Sequence, residues 1–308
     1  MPQPLSTTLE ITSRCNLECK YCFAGSGGKN TNEVSYEVIE NVINDLITIG
    51  NQHFLIMGGE PTLHRDFLRI ITYLKKKGVS VGFSSNGLNL SDSFCKELFT
   101  IGVRHNVYVS LDTITPIDYK EITGRDRFQR VVDGIDNLRN NGIRYAISCV
   151  VIKQNVSMLD KLYQFACEHG ASFLNLIRFN VEGRGVASKD EMGVNISSFN
   201  TECERLIAEH GGFKGFWGEN CIIPTNASRK SHMNFPQEND LRQFLTIRSN
   251  GDVLMGRASG GLIIGNVFRD TILDMWSGAI AQRYFSMNAV DFNKLILNNI
   301  KEQNKGLL

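Results

Sequence analysis

The chain has 308 residues, 42% of them hydrophobic, which suffices for one large α/β domain or a barrel-sized domain with a small appendage. With 33 Lys and Arg against 32 Asp and Glu, the net charge of +1 supplies no field for holding a polyanion, so nucleic acid is not expected as a partner. No apolar run is long enough to span a bilayer and the N-terminal stretch lacks a signal-peptide core; this excludes a membrane protein and points to the cytoplasm, where eight cysteines imply metal ligation or thiols rather than disulfides.

In chain order, the first strand is expected over 8–12, followed by a loop rich in cysteine. Val38, Ile39, Val42, Ile43, Leu46 and Ile47 recur at helical spacing and place a helix over 35–48 with one buried face. Strands follow at 53–57, 79–84, 106–111, 144–152 and 173–179, with helices near 64–77, 91–101, 127–140 and 157–169. Ser91 and Ser157 are candidate N-caps, and Gly78, Gly102, Gly142 and Gly170 stop the preceding helices. The basic run Lys75–Lys77 falls at a helix end, where the macrodipole favours it. Alternating strands and helices imply a parallel sheet with right-handed crossovers, short of a full (β/α)8 barrel. An open, curved barrel fits, with its active site at the carboxyl ends of the strands.

Beyond residue 183 the pattern loosens. GRGVASKDEMG reads as a loop, 196–210 as a helix and 211–243 as a long connection. Residues 244–255 read as a hairpin around Asn250 and Gly251, 271–285 as a helix, and Phe292, Leu295, Ile296 and Ile300 as the docking face of a tail helix. The expected division is a core over 1–185, a helix and connection over 186–243, and an extension over 244–308.

Chemistry concentrates after the first strand, in Cys15-Asn16-Leu17-Glu18-Cys19-Lys20-Tyr21-Cys22. Three cysteines within eight residues have the spacing of metal ligands. A structural zinc needs four protein ligands, and His53 or His64 would have to supply the fourth. An iron–sulfur cluster is the other reading; it usually takes four cysteines, so three leave one iron open to bind a small molecule.

The CxxxCxxC spacing, Tyr21 before the last cysteine, and Gly58-Gly59-Glu60-Pro61 after the second strand resemble the radical S-adenosylmethionine (SAM) superfamily. The resemblance implies an α/β fold, a partial (β/α)6 TIM-like barrel with a small hairpin-helix extension. It implies one 4Fe–4S cluster on Cys15, Cys19 and Cys22, whose open iron is chelated by the amino and carboxylate groups of SAM. It also implies reductive cleavage of SAM to a 5′-deoxyadenosyl radical that takes a hydrogen atom from the substrate. The remaining matches imply SAM contacts. Gly58 and Gly59 would let backbone approach the methionyl end, Glu60 would meet its ammonium, and Arg125 would pair with its carboxylate. Ser84, Ser85 and Asn86 close the third strand and would reach the ribose and carboxylate; Ser110 and Asp112 close the fourth and line the pocket; Tyr21 and Phe23 would flank the adenine.

The segments 106–185 and 247–276 resemble the branch of that superfamily carrying SPASM or Twitch extensions. Relatives hold an auxiliary cluster through a cysteine where Gly256 stands, and no cysteine follows Cys221 here, so the scaffold is expected without that cluster. Cys221 itself, in Phe216-Trp217-Gly218-Glu219-Asn220-Cys221, is either a packing residue or a thiol that returns a hydrogen atom to a substrate radical. Two enzymatic functions stand open: hydrogen abstraction from a peptide, as in maturases of ribosomal peptides, and action on a sugar, nucleoside or nucleotide. A strand beginning near residue 8 leaves no room for an N-terminal leader-binding module, which weighs against the first. A non-catalytic iron–sulfur protein is the reading from another class. An electron donor such as a flavodoxin or ferredoxin is the expected protein partner of either enzyme.

Overall fold

The computed structural model describes residues 3–28, 31–215, 220–225, 240–256 and 260–303. The chain runs β1 (Ser6–Glu10), α1 (Tyr36–Thr48), β2 (His53–Met57), α2 (Phe67–Lys76), β3 (Ser80–Ser85), α3 (Asp92–Ile101), β4 (Val107–Ser110), α4 (Pro116–Thr123), α5 (Phe128–Asn140), β5 (Tyr145–Val151), α6 (Leu159–Glu168) and β6 (Phe173–Arg178). It continues through α7 (Gly185–Met192), α8 (Ile196–His210), β7 (Phe213–Gly215), β8 (Asn220–Pro224), β9 (Phe244–Ile247), β10 (Asp252–Met255), β11 (Leu262–Asn266), α9 (Ile272–Ser277), α10 (Ala279–Phe285) and α11 (Ala289–Gln303). These elements belong to two compact units: the described residues within 1–16, 24–83 and 237–304, and those within 17–23, 84–236 and 305–308.

In the first unit the strand order is β11-β10-β9-β1-β2-β3. β1 pairs in parallel with β2, and on its other side with β9, while β9, β10 and β11 form antiparallel pairs. The segment after 244, set apart in the sequence as an extension, therefore adds its strands directly to β1. Helix α1 starts where the Ser35 side chain accepts the Val38 amide, and it buries Ile39, Val42, Ile43 and Leu46. In α2, Phe67 packs edge-on against Phe83 of β3 at 5.2 Å between ring centres. The single helix expected over 271–285 is two, broken at Gly278, which caps both. Helix α11 docks as its pattern requires: Phe292, Ile296 and Ile300 are buried, and Asn293 accepts the Leu241 amide at 2.9 Å.

In the second unit the order is β4-β5-β6-β8-β7. β4, β5 and β6 are parallel; β8 returns antiparallel to β6 and β7 antiparallel to β8. Ser91 caps α3 and Gly102 ends it in the left-handed region, both as expected. Helix α4 is unexpected from periodicity, yet Thr115 caps it, Pro116 sits in its first turn and Gly124 closes it. Ser157 does not cap α6; it lies inside a 3-10 turn, Val156–Met158, from which α6 continues with no side-chain cap bond. Two loop readings are corrected. Residues 185–192 of GRGVASKDEMG are helix α7, and the connection over 211–243 contains β7 and β8. Its residues 226–239 lie outside the described residues.

Candidate functional site

The cysteine loop is held first by the unit containing β1. Past β1, Thr12 bridges to Glu33, and Ser13 donates its amide to Asn32 O at 2.8 Å. From the end of β2, Gly59 donates its amide to Thr12 O and Glu60 donates its amide to Arg14 O, each at 2.7 Å. A Cβ on Gly58 would fall inside 3.0 Å of Thr12 O, and one on Gly59 inside 3.0 Å of Arg14 O. The two glycines thus have a requirement independent of any ligand: backbone lies directly on the backbone leading into Cys15. The Glu60 side chain, 0% exposed, turns inward, and its Oε1 accepts the Thr62 hydroxyl at 2.6 Å and the Thr62 amide at 3.2 Å. It caps the Pro61–Leu63 turn. His64 has both ring nitrogens engaged: Nε2 with Val34 O at 2.8 Å, and Nδ1 with the Asp66 amide at 3.1 Å. That engagement argues against His64 as a fourth zinc ligand.

From Leu17 onward the loop is held by the second unit. Its backbone runs beside the end of α4, with the Glu18 amide on Thr123 O and the Lys20 amide on Ile122 O, both at 3.0 Å. The turn before α7 holds it as well. Arg184 donates Nε to Cys19 O at 2.8 Å and its own amide to Cys22 O at 3.0 Å, while Ser188 Oγ donates to Lys20 O at 2.9 Å. Gly183, with φ of +54°, lies so close that a Cβ would come inside 3.0 Å of the Cys22 and Phe23 carbonyl oxygens. Lys20 reaches Glu191 of α7 at 2.7 Å, and Arg125 reaches Glu18 at 2.7 Å, both ion pairs well exposed.

Tyr21 points into the unit. It packs against the cluster of Ile122, Ile152, Phe179, Val181 and Met192, and its hydroxyl donates to Asp112 Oδ2. Asp112 also accepts the Val150 amide at 2.8 Å through Oδ1. Burial raises the Asp112 carboxyl to about 6, opposed by these two hydrogen bonds. Burial, then the Asp112 charge, pushes the Tyr21 phenol well up, so it stays protonated and donating. Elsewhere Ser85 Oγ accepts the Gly87 amide and Asn86 Oδ1 accepts the Leu88 amide, each at 3.1 Å; both side chains stabilise the turn after β3. Ser84, Ser110 and Phe23 are half-buried.

Cys221 lies elsewhere. It is 0% exposed in β8 opposite Leu176, and its sulfur donates to Cys203 O of α8 at 3.9 Å. Side chains alternate along a strand, so Cys221 and Asn220 face opposite sides of the sheet. The Cys221 thiol is thus buried between β8 and α8. Its neighbours 216–219 lie outside the described residues.

Cys15, Cys19 and Cys22 are all half-buried and in no disulfide. Three thiols on a loop whose backbone is tied down by neighbouring carbonyls and amides supply three of the four ligands a 4Fe–4S cluster takes and leave one iron open, and this loop would hold such a cluster. Sequence reasoning located the cysteines but missed Gly183, Arg184 and Ser188, the residues that grip them. The segment Glu182-Gly183-Arg184-Gly185 following β6 was the available signal.

Parallel strands alternating with helices, with a cysteine loop after the first strand, define a class of α/β protein able to hold a metal cofactor on that loop. A model of the Radical SAM superfamily matches residues 9–166, and the chain belongs to that superfamily, whose cofactors are a 4Fe–4S cluster and SAM. The chain is 32% identical over 190 residues to a mycofactocin maturase MftC of Mycolicibacterium smegmatis, covering 61% of this chain and 48% of that protein. It is 35% identical over 177 residues to a probable GTP 3′,8-cyclase of Sulfurisphaera tokodaii, covering 57% of this chain and 56% of that one. The chain thus spans about half the length of these curated relatives. Its fold matches the crystal structure of Streptococcus suis SuiB bound to precursor peptide SuiA, with a TM-score of 0.70 and 17% identity, over 91% of this chain and 66% of that one. The partial (β/α)6 barrel is therefore the fold; among the described residues no helix is long and apolar enough to cross a membrane.

Proposed function

We propose that this protein is a radical SAM enzyme that acts on a peptide, with its cluster on Cys15, Cys19 and Cys22. The observation that carries the reading is the cysteine loop itself, seated by Gly58 and Gly59 and gripped by Arg184 and Ser188. When bound, the cluster and SAM supply a 5′-deoxyadenosyl radical able to abstract hydrogen. The chain's own residues do the positioning. Tyr21 and Asp112 anchor the loop from inside, and Glu60 and Arg125 are assigned as partners for the charged methionyl groups of SAM. Glu60 would meet the ammonium while keeping its bonds to Thr62; Arg125 would exchange Glu18 for the SAM carboxylate. Ser84, Ser85, Asn86, Ser110 and Phe23 supply the remaining SAM contacts. Electrons would come from a flavodoxin or ferredoxin in the cytoplasm.

Similarity to a mycofactocin maturase supports the peptide substrate. The similarity of comparable strength to a probable GTP 3′,8-cyclase supports a second reading, a nucleotide or related small molecule. The test is anaerobic incubation of reconstituted protein with SAM and dithionite, first alone, then with any short peptide found encoded beside the gene, then with GTP. Release of 5′-deoxyadenosine together with a mass change in the peptide supports the first reading. A new product from GTP with an unaltered peptide replaces it with the second. No 5′-deoxyadenosine from iron-loaded protein refutes both.

A further inference from the structure

Four contacts bind the cluster loop to one short stretch, Gly183–Ser188, more than 160 residues away in sequence. Two are made by Arg184 alone, through its Nε to Cys19 O and its amide to Cys22 O. The third is Ser188 Oγ on Lys20 O. The fourth is steric: Gly183, at φ of +54°, has no room for a Cβ beside the Cys22 and Phe23 oxygens. On the opposite flank, among the described residues, the loop meets α4 and its end through backbone bonds to Ile122 and Thr123 and through exposed ion pairs of Glu18 with Arg125 and of Lys20 with Glu121. Arg184 is the one side chain among these contacts that delivers a positive charge to a cysteine's own peptide group.

We infer that Arg184 is a positioning residue for the iron–sulfur cluster: it fixes the backbone of Cys19 and Cys22 before the cluster arrives, and its charge raises the cluster's reduction potential. The inference rests on the proposed cluster on these cysteines. The fixing follows from the geometry. Both cysteines it touches belong to one turn at the end of the loop, where the Cys22 amide closes on Cys19 O at 3.2 Å. Cys19 O thus accepts two donors, and removing Arg184 would leave that turn with one. The effect on potential follows from charge. A thiolate-ligated cluster gains negative charge on reduction, and a cation nearby stabilises the reduced form most.

Three variants separate the two roles. Arg184→Ala removes both charge and Nε donor, Arg184→Lys keeps the charge without the planar fork, and Arg184→Gln keeps an N–H donor without the charge. In the apoprotein, hydrogen exchange at the Cys22 amide should speed by about tenfold in Arg184→Ala, the loss expected from one hydrogen bond to a charged group. In the reconstituted protein, iron should be stripped by a chelator several-fold faster in Arg184→Ala. The midpoint potential, titrated by electron paramagnetic resonance, should move negative in Arg184→Gln and Arg184→Ala and stay near wild type in Arg184→Lys. Ser188→Ala, which removes a single contact from the same grip, should show a smaller rise in exchange and stripping with an unchanged potential; it serves as the readout if Arg184→Ala does not fold. Wild-type exchange and stripping rates in both Arg184→Ala and Ser188→Ala would overturn the positioning role. An unchanged potential in Arg184→Gln would overturn the electrostatic one. If wild-type protein takes up no iron, the proposed function fails instead, and the apoprotein exchange still decides whether Arg184 orders the loop.

Discussion

Replacing Gly59 by alanine tests how the cysteine loop is seated. The added Cβ would sit inside 3.0 Å of the Arg14 carbonyl oxygen and also of Ser13 O, distances that real Cβ atoms do not occupy. Neither neighbour is the end of a flexible side chain; both are backbone. The strand end and the loop must therefore separate, and the separation falls on two hydrogen bonds of 2.7 Å, Gly59 N to Thr12 O and Glu60 N to Arg14 O. At about 0.5–1.5 kcal/mol net for each, the expected loss is roughly 1–3 kcal/mol. Urea unfolding of the apoprotein measures it, and iron retained after reconstitution reads the consequence at Cys15. Gly28→Ala, where an added Cβ meets nothing, is the control and should cost little. If Gly59→Ala unfolds at the wild-type midpoint and retains full iron, backbone contact is not what the glycine provides, and a ligand-facing role takes its place.

Further outcomes follow from the same contacts. Burial holds the Asp112 carboxyl at about 6 against an ordinary 3.8, so its own contribution to stability is fully present below 3.8 and is lost as pH rises through 6. The stability of wild type relative to Asp112→Asn should therefore fall by on the order of 1 kcal/mol between pH 5 and pH 7.5, measured by urea unfolding; an equal difference at both pH values would contradict it. Glu60→Ala should remove the acceptor of the half-buried Thr62 amide and hydroxyl, costing about 1 kcal/mol or more, and should weaken SAM binding measured by calorimetry. Arg125→Ala removes only an exposed pair with Glu18, so its stability should change by less than about 1 kcal/mol while SAM affinity drops. Cys221→Ala should form 5′-deoxyadenosine and product at the wild-type rate, because its sulfur is sealed against α8; stalled product formation would restore the hydrogen-donor role.

The parts of this molecule that were legible in its sequence are those whose signals are local. Val42 and Leu46 face the core by helical spacing, Ser91 and Gly102 bracket α3 by capping chemistry, and Cys15, Cys19 and Cys22 carry their meaning in their spacing. What was missed depends on distant pairing. Helix α7 has little apolar periodicity, burying Gly185, Ser188 and Met192, and its register is set by the loop it grips rather than by a hydrophobic face. Strand β8 is recognisable only through its partner β6; the hairpin over 244–255 was legible, but its attachment to β1 was not. At the site, the sequence marked Arg125, Asp112 and Tyr21 but not the pairings Arg125–Glu18 and Tyr21–Asp112, which join residues 107 and 91 apart. Glu60 was expected to face a ligand, and the bonds it already makes to Thr62 are invisible without the turn that Pro61 begins.

The central claim is that Cys15, Cys19 and Cys22 hold one redox-active cluster that cleaves SAM. Iron content and 5′-deoxyadenosine formation, measured together on anaerobically reconstituted protein with dithionite and SAM, test it most directly. About four irons per chain are expected, as one cubane requires, with 5′-deoxyadenosine released by wild type and neither iron nor product in the variant with all three cysteines changed to alanine. Full iron and SAM cleavage in that triple variant, or a loaded wild type that leaves SAM intact, would contradict it.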